Sequence, residues 1–499
     1  MRPPYVSTHT PYKDTLTMNK TLATMASAVV FALSLSACNG NAGGTSGMGT
    51  IPSAASIQSG QPGGHMKSND NGPSSLHAGG ATFPAEAYNT ASQPVGTYNQ
   101  PQAPPGAGSL FANYGGTGTI FYCLTGSGAG RKQFDGDPTR LPGNAACAGL
   151  GDTATGFGGR GEPLDFLASD VMISSTEYAT YAANRKSTQG EPFMFPTLGG
   201  AIVFGYRPQD FSGVSHIKLS TWTYCAIVNG TIGNWNDPAI TADNGSSVTG
   251  GSSQPITFYY RSDGSGTTQI FTNKLVNTCG SSWPAPYNAP PYESSGHSAQ
   301  WTFGQSTGNW VGPTGSQASG STFVGASGNP GVLAGVQSTP YGTGYLEGAY
   351  AKSANPKVSQ ALLQNGTNSG NPVFVDPTNK AAVSGALKKV INTAIQYGEC
   401  NDLQSCGSSR PECILFVPPN NFVNPPSGDY PIVGLSYMLF YGQNNAHYGD
   451  DKTLINYMVS TNANRIVNSL EYAALSGSIH KAVTKALNGT AKVHPCLNP

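Results

Sequence analysis

The spacing of apolar positions gives the first elements of this chain. Gly199 to Tyr206 (GGAIVFGY) is a short, almost continuous apolar run, which predicts a buried strand. Pro255 to Arg261 (PITFYYR) places Ile256, Phe258 and Tyr260 on alternate positions and predicts a second strand. Val383, Leu387, Val390, Ile391 and Ile395 fall at helical spacing, as do Ile466, Val467, Leu470, Ala473 and Ala474. Strands interleaved with helices predict an α/β architecture. Cys279 to about Gln337 is rich in Gly, Ser, Pro and Asn and is expected to form a surface insertion. The roughly 420 residues after residue 75 exceed the usual size of one domain, so two lobes or two domains are expected. There is no internal repeat.

The N-terminal pattern differs. Met25 to Ala37 is an apolar run of 13 residues preceded by Arg2, Lys13 and Lys20. A membrane span needs about 20 apolar residues, so this run is too short. It is expected to be a secretory signal, with Leu35-Ser36-Ala37-Cys38 shaped like a lipoprotein cleavage box and Cys38 as the lipid-bearing residue; a leader cut without lipidation is the alternative. Met18 gives a more ordinary signal length, so residues 1–17 read as an over-extended start. Asn39 to about Ser75 is Gly, Ser, Asn and Pro with few large apolar residues, the composition of a flexible tether. No later stretch has about 18 uninterrupted apolar residues, which predicts a soluble body apart from the anchor.

Cysteine usage fits export. Without Cys38 there remain Cys123, Cys147, Cys225, Cys279, Cys400, Cys406, Cys413 and Cys496, an even set expected to form disulfides. Cys400, Cys406 and Cys413 lie close together but have no CxxC pair and no nearby His, which argues against zinc. A formal net charge of zero, with 10% charged residues, provides no long-range field for a polyanion, so nucleic acid is not an expected partner.

Any anion must therefore be held locally, and Tyr260 to Thr268 (YRSDGSGTT) has the chemistry for it. Small residues entering a helix leave approachable backbone N–H groups at the positive end of the helix dipole. Ser265 and Thr267 add hydroxyls, and the planar guanidinium of Arg261 binds two oxyanion oxygens at once, with Asp263 placed to orient it. The same residues also fit an Asp-Gly turn capping a helix, with Arg261 in solvent. Three further segments are candidates of the same kind, each beside a plain reading: Gly79 to Pro84 (GGATFP), where Gly permits close backbone approach, or an ordinary helix start; Thr125 to Gly130 (TGSGAG), small and hydroxylated before a helix, or a flexible turn; and Phe166 to Asp170 (FLASD), an apolar run ending in a carboxylate, or a helix-capping Asp170.

Together with FPTLGGAIVFGY at Phe195, IGNWNDPAI at Ile232, GTGYLEGAYA at Gly342 and YPIVGLSYMLF at Tyr430, these ordered segments resemble the phosphate-binding proteins of bacterial phosphate ABC transporters, the PstS and DING group. The resemblance covers most of the chain after about residue 76 and implies a two-lobed type II periplasmic binding protein fold. Mixed central sheets flanked by helices would hold the ligand in the interlobe cleft. It implies residues 76–195 and 428–499 as lobe 1, 196–427 as lobe 2, and a disulfide between Cys225 and Cys279. It implies inorganic phosphate as ligand, with Thr82 (hydroxyl and N–H), Phe83 (N–H) and Ser127 as donors from one lobe. Arg261, Ser265, Gly266 and Thr267 would be the donors from the other, and Asp170 the single acceptor. Hydrogen phosphate has a proton to give Asp170 and sulfate has none, so a buried carboxylate repels sulfate; protonated arsenate is harder to reject. A membrane-embedded ABC transporter permease is the implied partner.

The Gly/Ser insertions near residues 136–163 and 280–335, and the extra cysteines at Cys123, Cys147 and near Cys400, depart from that pattern. They leave a secreted scavenger of the same fold as an alternative, beside a phosphatase-like enzyme or a structural surface lipoprotein. For catalysis the sequence offers Gly304-Gln305-Ser306-Thr307-Gly308, a formal GxSxG match near His297, but a nucleophile elbow needs a strand before it and a helix after it. His216, His447, His480 and His494 have no metal-ligand spacing, so no enzyme activity, metal or cofactor is expected.

Overall fold

The computed structural model describes residues 75–91, 105–136, 164–280, 298–394, 396–397, 410–475, 477–490 and 494–499. Cys38, the apolar leader, the 39–75 tether up to residue 74, His297, Ile395, Cys147, Cys400 and Cys406 lie outside the described residues. A mixed sheet organises the rest. Its main strands are β1 (Leu76–Gly80), β2 (Ile120–Cys123), β3 (Phe166–Ser169), β4 (Phe193–Tyr206), β5 (Thr257–Arg261), β6 (Gly315–Ser316), β7 (Thr322–Ala326), β8 (Gly342–Glu347) and β9 (Val433–Phe440), in the order β2-β1-β3-β9-β4-β8-β5-β7-β6. This is the expected mixed α/β architecture with helices flanking the sheet.

Strand β4 joins the two halves of the sheet. All 14 of its residues are buried, as a near-continuous apolar run should be. Its first part, Phe193 to Ala201, pairs antiparallel with β9, and its second part, Ile202 to Tyr206, pairs antiparallel with β8. Pro196, which cannot donate to a ladder, is tolerated because the register shifts beside it, between Ser436 and Tyr437 of β9. Beyond β9, strands β3, β1 and β2 run parallel to one another; beyond β8, so do β5 and β7.

The site is built where strands end and helices begin. Short helix α1 (Ala85–Asn89) follows β1, α2 (Ser127–Asp135) follows β2, α3 (Gly266–Thr278) follows β5 and α4 (Gly328–Ser338) follows β7. The helix predicted around Val383 is α5 (Lys380–Ala394). The second helical pattern ends early: α6 spans Thr461–Ser469, Glu471 turns left-handed at φ 68°, and Ala473–Ala474 pairs with β4 as a strand. Small apolar residues satisfy either geometry, and sheet pairing decides between them. The stretch from Cys279 to Gln337 is not only an insertion, since Thr322 to Gln337 supplies β7 and most of α4 to the core architecture. Within α4, Gly335 allows close packing on β5, since a Cβ there would lie 2.4 Å from the Tyr259 ring.

Cys225–Cys279 is formed, with Cα atoms 5.7 Å apart, as is Cys413–Cys496; Cys123 is also disulfide-bonded. No helix among the described residues is long and apolar enough to cross a membrane.

Candidate functional site

Arg261, at the end of β5, is buried to 1% exposure. Its Nε and Nη2 donate to the two carboxylate oxygens of Asp263 at 2.6 and 2.5 Å, and Nη1 donates to Thr267 Oγ1 at 3.3 Å. The pairing is bidentate, so Asp263 orients the guanidinium instead of leaving it in solvent. Ser265 caps α3: its Oγ accepts from Thr268 N at 3.0 Å, and its own N–H donates to Gly308 O at 2.9 Å. The N–H groups of Gly266 and Thr267 make no hydrogen bond to any described residue. Buried amides of this kind need an acceptor from outside.

Asp170 follows β3 directly and caps no helix. It is 3% exposed. Its Oδ2 accepts from Ser127 Oγ at 3.1 Å and Thr267 Oγ1 at 3.3 Å, and its Oδ1 accepts from Ser436 Oγ at 3.2 Å. Burial raises its carboxyl to about 6, against the pull of Arg261 and the three hydroxyls, which favour the ionised form. Thr267 links the two charges, accepting from Arg261 and donating to Asp170.

The two helix starts meet backbone to backbone. Gly128 N donates to Gly264 O at 2.8 Å, and a Cβ on Gly266 would lie 2.7 Å from both Asp170 Cβ and Ser127 Oγ. Glycine at 266 is therefore required by space. At Gly80 (φ 122°) both conformation and space require it, since a Cβ there would lie 2.1 Å from Ala168 O.

Thr82 and Phe83 sit between β1 and α1, both fully buried, with Pro84 as the N-cap and not the first helical residue. Thr82 O accepts from Tyr350 Oη at 2.7 Å and Phe83 O from Tyr472 Oη at 2.6 Å, while neither N–H donates to a described residue. Thr82 has no hydrogen bond to the Asp170 group; it connects through Asn329 of α4, whose neighbour Gly328 donates to Asp263 Oδ1 at 2.8 Å. The structure thus brings Ser127, Asp170, Arg261, Gly266 and Thr267 together and sets Ser265 as the cap of α3. Thr82 is tied to them only through Asn329, Gly328 and Asp263, and the hydrogen bond of Phe83 goes to Tyr472.

Three participants were not anticipated. Ser436 is the only hydroxyl side chain in the fully buried strand VGLSYMLF apart from Tyr437, and a lone buried Ser needs a partner. Tyr345 Oη accepts from Arg261 N at 3.1 Å and exchanges a hydrogen bond with Thr268 Oγ1 at 2.6 Å. Asn329 was hidden in the Gly-rich stretch. A largely apolar cavity adjoins Asp170, lined also by Ile270, Lys274, Val417, Phe422 and Leu435. Lys274 Nζ donates there to Val423 O at 2.6 Å, and burial lowers its ammonium to about 8. The oxyanion donors do not line this cavity, so it neighbours the site and is not part of it.

Ser306 of the GxSxG match is a turn residue. Its Oγ donates to Asn309 O and accepts from Gly308 N at 2.8 Å, with neither a strand before it nor a helix after it. Among the described residues no group of three or more His, Cys, Asp or Glu could hold a metal ion. His447 pairs with Asp165 at 2.7 Å.

A buried guanidinium, unspent helix-start amides and a buried carboxylate acceptor together have the chemistry to hold an oxyanion. The chain belongs to the PBP superfamily, whose domain profile matches residues 71–462. It is similar to the phosphate-binding protein PstS of Methanocaldococcus jannaschii, 32% identical over 270 residues, 53% of this chain and 58% of that protein. It is also similar to the phosphate-binding protein PstS 3 of Mycobacterium leprae, 28% identical over 321 residues, 64% of each chain. The chain thus spans about three-fifths of the length of these relatives. The fold is that of the ancestral soluble variant of the human phosphate binding protein (TM-score 0.57, 18% identity, 84% of this chain and 95% of that one). It is shared by the high affinity periplasmic phosphate-binding protein PfluDING, solved with phosphate bound (TM-score 0.55, 20% identity, 84% and 95%). The resemblance to PstS and DING-type proteins drawn from the ordered segments agrees with these relatives.

Proposed function

We propose that this chain captures inorganic phosphate outside the cytoplasmic membrane and delivers it to a membrane-embedded ABC transporter permease. The observation that carries the reading is Asp170: one buried carboxylate, held by Ser127, Thr267 and Ser436, linked through Thr267 to the buried Arg261. Thr82, Phe83, Ser127, Arg261, Ser265, Gly266 and Thr267 donate to the phosphate oxygens, and Asp170 accepts the proton of hydrogen phosphate. With its carboxyl at about 6, Asp170 is largely ionised at neutral pH and able to accept. Sulfate, with no proton to offer, meets an unpaired buried charge. Binding without catalysis fits the turn role of Ser306 and the names of the relatives, all of them binding proteins.

The reading includes two lobes, residues 76–195 with 428–499 and residues 196–427, closing about β4 and β9 so that donors from both reach one anion. The backbone contact of Gly128 with Gly264 supports a closed arrangement. It also includes the signal peptide, the tether and a lipid anchor at Cys38, supported by the cleavage-box pattern and by the cysteine pairing expected of an exported chain. Calorimetric titration of the folded, phosphate-stripped protein near neutral pH tests the ligand. Heat with phosphate and none with sulfate is expected; no heat with either anion would remove the reading.

A further inference from the structure

The start of α4 ties the two sides of the site together. Gly328 N and Arg261 Nε share Asp263 Oδ1 as acceptor, at 2.8 and 2.6 Å. The next residue, Asn329, is fully buried. Its N and Nδ2 donate to Thr82 Oγ1 at 3.2 and 3.1 Å, and its Oδ1 accepts from Glu347 N at 3.1 Å. The Glu347 bond settles which way the amide faces, because only its oxygen can accept from an N–H, so its nitrogen must point at Thr82.

A hydroxyl has two lone pairs and one hydrogen. Asn329 fills both lone pairs of Thr82, which leaves the hydroxyl with its hydrogen alone. We propose that Asn329 is a positioning and specificity residue of the anion site: it fixes Thr82 as an obligate donor, so that this face cannot accept the ligand's proton and Asp170 is left as the acceptor for it. The proposal rests on the phosphate reading above. An unconstrained hydroxyl would accept from a protonated oxygen as readily as it donates, and would blur the choice that Asp170 makes. Because Asn329 follows β7 while Thr82 follows β1, the hydroxyl acquires this polarity only when the two halves of the sheet are together.

The test is a double-mutant cycle in phosphate affinity, measured by calorimetry, with thermal melts to establish folding. The wild-type titration decides the phosphate reading by itself, and the variants decide the role of Asn329. Asn329→Ala is expected to weaken phosphate binding by about tenfold, the scale of one charge-assisted hydrogen bond. Asn329→Asp, nearly the same size, is expected to weaken it more, because its carboxylate accepts the Thr82 O–H and withdraws it from the ligand. In a Thr82→Ala background, Asn329→Ala should cost nothing further, and Asn329→Asp should retain only the effect of its added charge. A merely structural Asn329 gives the opposite pattern: Asp is milder than Ala, and both losses persist undiminished with Thr82→Ala. That result would overturn the proposal. If Asn329→Asp does not fold, Asn329→Ala in the two Thr82 backgrounds decides the matter.

Discussion

Two carboxylates lie within reach of the same guanidinium, and their surroundings give them different work. Asp263 receives Arg261 in a two-pronged ion pair and the Gly328 amide as well, so its charge is spent within the protein. Asp170 receives only hydroxyls, from Ser127, Thr267 and Ser436, and burial raises its carboxyl to about 6. One acid is an internal counter-ion that aims a donor. The other is held ready for a proton from outside. Residue type is the same in the two cases; the difference comes from the deeper burial of Asp170 and from whether the neighbours are charged or neutral donors.

Removing the shared guanidinium breaks the comparison most severely. Arg261→Met should leave Asp263 buried without its counter-ion, at about 3–5 kcal/mol of stability in thermal melts, and should lower phosphate affinity by about a hundredfold or more. Asp170→Asn acts in the opposite direction on stability. The folded chain keeps a proton on Asp170 between its ordinary 3.8 and about 6, so the carboxylate costs stability as pH rises through that window. Phosphate-free Asp170→Asn should therefore match wild type near pH 4 and exceed it by about 2–3 kcal/mol at pH 7. Gly266→Ala probes the space between the helix starts: its Cβ would lie 2.7 Å from Asp170 and Ser127, so the rise in melting temperature given by saturating phosphate should shrink by about half. Ser436→Ala is the mildest. Losing a donor to the ionised form should raise the Asp170 carboxyl above 6 in a carboxyl titration followed by NMR, and weaken phosphate binding by about a few-fold.

The sequence revealed the donors better than their supports. Arg261, Asp263, Ser265 and Thr267 lie within seven residues after an alternating strand, so local pattern and local chemistry coincide. The segments of Asp170 and Ser127 stood out by residue type, but their roles were legible only through resemblance, because their contact spans 43 positions. Asn329 was missed because a Gly/Ser-rich stretch reads as loop, while in the fold Gly335 of α4 and Gly344 of β8 let the helix approach β5 and β8 closely. Ala473 and Ala474 fitted a helical period, yet the left-handed Glu471 ends α6 and turns them onto β4. Short-range periodicity cannot register a partner strand more than 270 residues away.

The central claim is that Asp170 chooses phosphate by accepting its proton. The most direct test is the ratio of phosphate to sulfate affinity in wild type and Asp170→Asn, measured by calorimetry at neutral pH on phosphate-stripped protein. The account predicts a wild type that ignores sulfate and a variant that binds it, with phosphate weakened by about tenfold or more. A variant that still rejects sulfate while binding phosphate at full strength would contradict it.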